Sequence, residues 1–268
     1  MFWKRTVVGL LAAALLLGIV LLHGAYVKAA VVIVALVMEY EMIHTLKAGG
    51  KIAPVEPVLY AFTLALPAMY YFFSDAGALY TLAAGLLALF ICGITCKRYD
   101  MESVCYSVFA MFYPQFLLLF LYKMVLAGDV AMSQMMIFLA FAASVCEDTL
   151  AYYVGRLFGK HKLCPSISPK KTIEGAVGGF IGGIVGVVAI ALIMGNHGVS
   201  LWWYAVLGAA LGVLSQFGDL AASMVKRHFG VKDFGNLMPG HGGLMDRVDS
   251  TIFILPVVYL FFSLAIGI

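Results

Sequence analysis

The chain has 268 residues, of which 63% are hydrophobic and only 12% charged, whereas soluble domains run nearer half apolar and a quarter charged. With a mean hydropathy of +1.01 the composition excludes an ordinary soluble domain and predicts an all-α, polytopic membrane protein forming one integral unit. The formal net charge of +3 excludes little, because the placement of Lys and Arg matters more in a membrane than their sum.

Met1–Arg5 followed by the apolar run Thr6–Leu22 is expected to be an uncleaved first transmembrane helix, since further spans follow at once and no small-residue cleavage site stands out. At about 20 apolar residues per span, the following helices fall near 25–45, 55–74, 78–96, 104–127, 132–156, 174–195, 201–226 and 247–267, about nine in all. Lys4 and Arg5, Lys47 and Lys51, Lys97 and Arg98, the group at 156–171 and the group at 226–247 then alternate onto one side. Only Lys28 and Lys123 lie elsewhere. Short cytoplasmic loops carry the excess of basic residues, so the N-terminus is expected in the cytoplasm.

Residues 1–130 hold helices without a catalytic signature, and 131–268 are expected to form the catalytic region. In the first part Glu39 and Glu41, close to His44, read as carboxylates snorkelling to the interface. Cys92, Cys96, Cys105, Cys146 and Cys164 have neither a CxxC pair nor zinc spacing, so they read as apolar packing.

The sixth helix brings Glu147, Asp148, Tyr152 and Arg156 toward a basic loop. There Ser168 and Pro169 read as the N-cap and first position of the seventh helix, so that Lys170 and Lys171 flank an anion-attracting helix start, with Thr172 and Glu174 following. Substrate contact is the favoured role for this segment. Arg156, Lys160 and Lys162 are assigned instead to anionic lipid headgroups. Glycines 178, 179, 182, 183 and 186 read as close helix packing.

Charges concentrate most strongly between residues 223 and 249, SMVKRHFGVKDFGNLMPGHGGLMDRVD. Asp219, Ser223, Lys226 and Arg227 share one helix face. Asp219 therefore either faces a partner or watery cavity, or is tethered to Lys226 or Arg227. Asp246 and Asp249, three apart at a helix start, can converge on a cation, although ordinary helix starts also favour acids. With Asp219 they make an all-oxygen set suited to Mg²⁺. The glycine turn around Gly242 and Gly243 lets backbone N–H groups approach a phosphate.

The run Ser223, Lys226, Arg227, Lys232, Asp233, Pro239, His241, Gly242, Gly243, Asp246, Arg247 and Asp249 resembles the signature of the phosphatidate cytidylyltransferases, the CDP-diacylglycerol synthases. The segments at Asp148–Tyr152 and Ser168–Gly175 are similar to the same family, so the resemblance covers roughly residues 145–255. Met238 and Leu150 depart from its usual residues without touching a charged role.

The resemblance implies that CTP and phosphatidic acid give CDP-diacylglycerol and pyrophosphate in phospholipid biosynthesis. It further implies that Asp219, Asp246 and Asp249 bind Mg²⁺, with a second cation allowed, and that Lys226, Arg227 and Arg247 neutralise phosphates. His241 with Gly242 and Gly243 would shape the phosphate cradle. Asp148, Tyr152, Ser168, Lys171, Thr172, Glu174, Ser223, Lys232 and Asp233 would complete the substrate contacts. The expected partners are CTP, phosphatidic acid and membrane lipids, with a homodimer allowed and no nucleic acid. The expected location is a bacterial-type inner membrane with the active site facing the cytoplasm.

Two other readings are open to the same residues. A CTP-dependent lipid alcohol kinase would need a positioned base such as His241 or Asp233, and a transporter would need broken helices or repeated halves.

Overall fold

The computed structural model describes residues 17–50, 52–237 and 242–267. Helices dominate, as lipid requires of a chain whose backbone polar groups find no water. Among the described residues seven helices are long and apolar enough to cross a membrane. The chain is thus a multi-pass membrane protein. The expected helix at 6–23 falls largely outside the described residues, of which 17–22 are helical.

The helices are α1 (Gly24–Ala48), α2 (Glu56–Thr95), α3 (Met101–Ala110), a π-helical turn (Met111–Phe116) and α4 (Leu117–Leu126). After these come α5 (Val130–Phe158), the strands β1 (Lys162–Cys164) and β2 (Ser168–Thr172), then α6 (Ile173–Met194), α7 (Leu201–His228) and α8 (Met245–Ile266). They form two compact units, residues 1–122 with 228–247, and residues 123–227 with 248–268.

In the first unit, a straight helix of α2's 40 residues would be about 60 Å long, twice the hydrocarbon thickness of about 30 Å. It is not straight. Ser74 leaves the helical region at φ 54° and ψ −141°, and the chain doubles back. A Cβ on Gly77 would run into the backbone of Met69, and one on Gly85 would lie 3.0 Å from Phe62 Cδ2. Residues so far apart in sequence touch only if the two arms lie side by side, so the separate helices expected at 55–74 and 78–96 are these arms. Asp100 starts α3 by accepting from the Ser103 N–H at 2.8 Å, and the Ser103 hydroxyl together with this N–H holds its carboxyl below the usual range. Ser103 and Ser107 in turn accept from the Ala53 and Val55 N–H groups and secure the entry to α2.

In the second unit the glycines of α6 let three helices approach closely. A Cβ on Gly178 would meet Val154 Cβ at 2.6 Å, and one on Gly182 or Gly186 would press on the carbonyl of Cys146 or Ala142. On another side Gly183 faces Gly208 and Gly212 of α7. The expected packing role of these glycines is what the structure shows.

One local expectation is overturned. Ser168 and Pro169 do not begin a helix but lie in β2, which pairs with β1 in an antiparallel hairpin with Lys162 opposite Thr172 and Cys164 opposite Ser168. Proline is tolerated there because a two-stranded hairpin consists only of edge strands. The helix starts four residues later, where the Thr172 hydroxyl accepts from the Gly175 N–H at 3.1 Å. Apart from this hairpin the elements among the described residues are helices.

Candidate active site

Within the second unit a cavity of about 310 Å³ opens between α5, the hairpin and α7. Its wall contains Asp148, Tyr152 and Arg156 from α5, Lys170, Lys171 and Thr172 from β2, and Gln216 from α7. Four expected substrate contacts, Asp148, Tyr152, Lys171 and Thr172, are therefore brought together by segments separated in sequence. The two small glycines Gly155 and Gly175, also in the wall, keep α5 and α6 close; a Cβ on Gly155 would stand 2.9 Å from Thr172 Oγ1.

Lys171 projects from β2 to Asp219 of α7, with Nζ 2.6 Å from Oδ2. Both side chains are partly exposed, at 23% and 30%, so the pair is reachable by a charged ligand. Of the two readings of Asp219, a partner or watery cavity against a tether to Lys226 or Arg227, the first has its counterpart in Lys171, a partner from the other loop. Lys226 lies 3.9 Å from Asp249 Oδ2, with both side chains buried at 10% and 9% exposure. Asp249 is within Coulombic reach of Asp219, Lys226 and Asp148. Ser250, next to Asp249, shares a 2.7 Å hydroxyl contact with Ser144 of α5, which pins this turn of α8. Glu147 is buried and accepts from Ser215 at 3.1 Å, and Gly179 makes room for it, since a Cβ there would lie 2.6 Å from Glu147 Oε1.

Other expected contacts lie apart from the cavity wall. Glu174 receives the Lys160 and His161 N–H groups and touches His161 Nδ1 at 2.7 Å, which ties the base of the hairpin to α6. Ser168 occupies the hairpin. Ser223 is half-buried on α7, while Arg227, Lys232, Asp233 and Arg247 are exposed. His241 lies outside the described residues. Arg156 donates to the Tyr152 hydroxyl at 3.1 Å and stands in the cavity wall, a position suited to substrate as well as to lipid headgroups.

In the first unit the expected phosphate turn has its own organisation. Asp246 Oδ2 accepts from the Phe234 N–H at 2.8 Å and the Gly243 N–H at 2.9 Å. Gly242 has φ +81°, and a Cβ there would meet Asp246 Oδ2 at 2.9 Å, so both conformation and space demand glycine. The next two N–H groups, of Leu244 and Met245, go to Glu41. This corrects the expectation of interfacial snorkelling, for Glu39 and Glu41 are buried at 0% and 2% exposure. Their helix turns them into the protein, where both Glu41 oxygens accept from backbone amides and one Glu39 oxygen accepts from the Thr63 hydroxyl at 3.3 Å. No local pattern around Glu41 could have revealed partners some two hundred residues away.

Among the described residues no three His, Cys, Asp or Glu side chains gather into a ready-made metal cage. Mg²⁺ does not need one, because it keeps waters and substrate phosphates beside one or two carboxylates. Asp219 and Asp249 are carboxylates near enough to repel one another.

A family model described as the cytidylyltransferase family matches residues 3–265. The chain is similar to the phosphatidate cytidylyltransferase of Staphylococcus saprophyticus, at 48% identity over 122 residues that make up 46% of each chain. It is 47% identical to that of Staphylococcus haemolyticus over 119 residues, 44% of this chain and 45% of the relative. Against that of Thermotoga maritima it is 36% identical over 125 residues, 45% and 46% of the two chains. The matched stretch thus spans a little under half the length of these relatives.

Proposed function

The chain belongs to the cytidylyltransferase family, and from that premise we propose that it joins CTP to phosphatidic acid, giving CDP-diacylglycerol and pyrophosphate. The observation that carries the reading is the Lys171–Asp219 pair at a cavity that also gathers Asp148, Arg156 and Thr172. A base and an acid side by side at such a wall suit a polyphosphate carried with its cation.

A phosphomonoester with a second pKa near 6 is already ionised at neutral pH, so the attacking lipid oxygen needs no general base. One lipid phosphate oxygen forms a bond to the α-phosphorus of CTP as the bond to the β-phosphate bridge breaks, and pyrophosphate leaves with the electron pair. The obstacle is repulsion between two anions. Lys171 and Arg156 would hold phosphate oxygens at the cavity, with Lys226 and Arg227 of the same unit adding positive charge, and catalysis comes from positioning and electrostatics. Asp219 and Asp249 would hold Mg²⁺, which when bound neutralises charge on the polyphosphate. Asp246, whose Oδ2 already receives two backbone N–H groups, we assign to holding the glycine turn.

We put the reaction on the cytoplasmic side of a bacterial inner membrane. The support is that the basic groups at 156–171 and 226–247 alternate onto one side with the other charged loops and that the similar proteins are bacterial.

Purified protein given phosphatidate, Mg²⁺ and CTP labelled at the α- and γ-phosphates should place the α-label on lipid and release the γ-label as pyrophosphate. Transfer of the γ-label to lipid with release of CDP would overturn the proposal in favour of a lipid kinase.

A further inference from the structure

We propose that Glu41, on helix α1, is a positioning residue for Gly243, Leu244 and Met245 at the start of α8, keeping these residues in the form that meets nucleotide phosphate. The inference rests on the proposed function for its kinetic consequence, and on geometry alone for the clamp itself.

Glu41 is 2% exposed. One oxygen accepts from the Leu244 N–H and the other from the Met245 N–H, each at 2.8 Å. A carboxylate in an apolar helix is costly and is normally matched to a partner. Here it takes up two of the N–H groups that the first turn of α8 cannot satisfy internally. One turn along α1, Thr45 donates to the Phe234 carbonyl at 3.4 Å, while the Phe234 N–H goes to Asp246. Both ends of the loop therefore close on the same face of α1. Gly235 and Gly243 come so near that a Cβ on either would lie 2.5 Å from a Glu41 carboxylate oxygen. No side chain larger than hydrogen fits at either end while the carboxylate stays.

Such a clamp leaves a kinetic trace of its own. If Gly243, Leu244 and Met245 are held in place only a fraction of the time, apparent affinity falls by that fraction, whereas saturating nucleotide restores the held form. A group touching the reacting atoms would instead lower kcat, and a merely structural group would lower the amount of active protein at unchanged KM.

The test pairs kinetics with amide exchange. In Glu41→Gln the amide keeps one acceptor oxygen and turns its NH₂ group toward a backbone N–H. KM for CTP should rise about tenfold with kcat within about threefold, matching an ordered fraction of roughly one in ten. Hydrogen exchange at Leu244 and Met245 should speed up at least about tenfold, by the same fraction. Glu41→Asp, which retains both acceptors, should recover part of each effect. If Glu41→Gln does not fold, Thr45→Val provides the milder variant, with a smaller rise in KM and no loss of kcat. Unchanged exchange at 244–245 would refute the clamp. Faster exchange with an unchanged KM, or a fall in kcat alone, would refute the positioning role. Wild-type protein that makes no CDP-lipid would instead refute the proposed function, and the exchange result would still decide the clamp.

Discussion

Lys171 illustrates how one side chain can serve folding and chemistry to different degrees. Its contact with Asp219 is partly exposed, so the pair contributes at most about 1 kcal/mol to stability. The positive charge it holds at the cavity is worth much more to a reaction between anions. Lys171→Gln should therefore slow CDP-diacylglycerol formation about 100-fold, the usual cost of a lost electrostatic group, while the unfolding temperature in detergent changes little. Near-normal turnover in that variant would remove Lys171 from the mechanism. Lys47 is the matching control: it pairs with Glu56 at 2.8 Å with 44% and 33% exposure, and Lys47→Gln should leave turnover within about twofold because such pairs are weak. Asp249→Asn differs from both. It removes one carboxylate charge beside the buried Lys226, so activity and unfolding temperature should fall together. The acids and bases of this region were readable from residue type and spacing. Their pairings were not, since Lys171 meets Asp219 and Glu41 meets α8 only after distant segments fold together.

At the level of elements, α6 is the part where pattern and structure agree best, because a stripe of glycine has few uses other than close approach. Gly182→Val would push a side chain into the Cys146 carbonyl of α5. Overpacking of this kind should destabilise the second unit by about 1–3 kcal/mol, seen as a lower unfolding temperature, whereas Val185→Ala at an exposed position of the same helix should have little effect. The start of α6 was less readable. Ser168 and Pro169 carry the chemistry of a helix beginning, yet a three-residue strand opposite a five-residue one is too short to show an alternating pattern. Thr172 is the residue that settles the boundary. Its hydroxyl accepts the Gly175 N–H, and Thr172→Ala should cost about 1 kcal/mol through the lost cap.

For the whole molecule the decisive quantity is the number of crossings, since parity fixes which loops share a face. Composition was enough to establish a multi-pass chain, and the apolar runs marked the spans, including the two arms at 55–74 and 78–96 into which the reversal at Ser74 divides α2. Between Cys96 and Asn196 lie three candidate spans, Met101–Leu126, Val130–Phe158 and Ile173–Met194, so if each crosses once these two positions face opposite sides of the membrane. The loop with Lys97 and Arg98 is basic, so the excess of basic residues in cytoplasmic loops predicts Cys96 on the cytoplasmic side. If each arm of α2 crosses once, Asp75 at their junction faces the same side as Asn196. All three positions are exposed, which makes the arrangement measurable with a membrane-impermeant thiol reagent on single-cysteine proteins. Cys96 should react only in inverted vesicles, whereas Asn196→Cys and Asp75→Cys should react only in right-side-out ones. Reaction of Asp75→Cys together with Cys96 would mean that the arms enter and leave by one face, reversing the N-terminal parity while leaving the second unit's orientation intact. Reaction of Cys96 from the outside would move the basic loops, and the nucleotide chemistry proposed for them, away from the compartment that holds CTP.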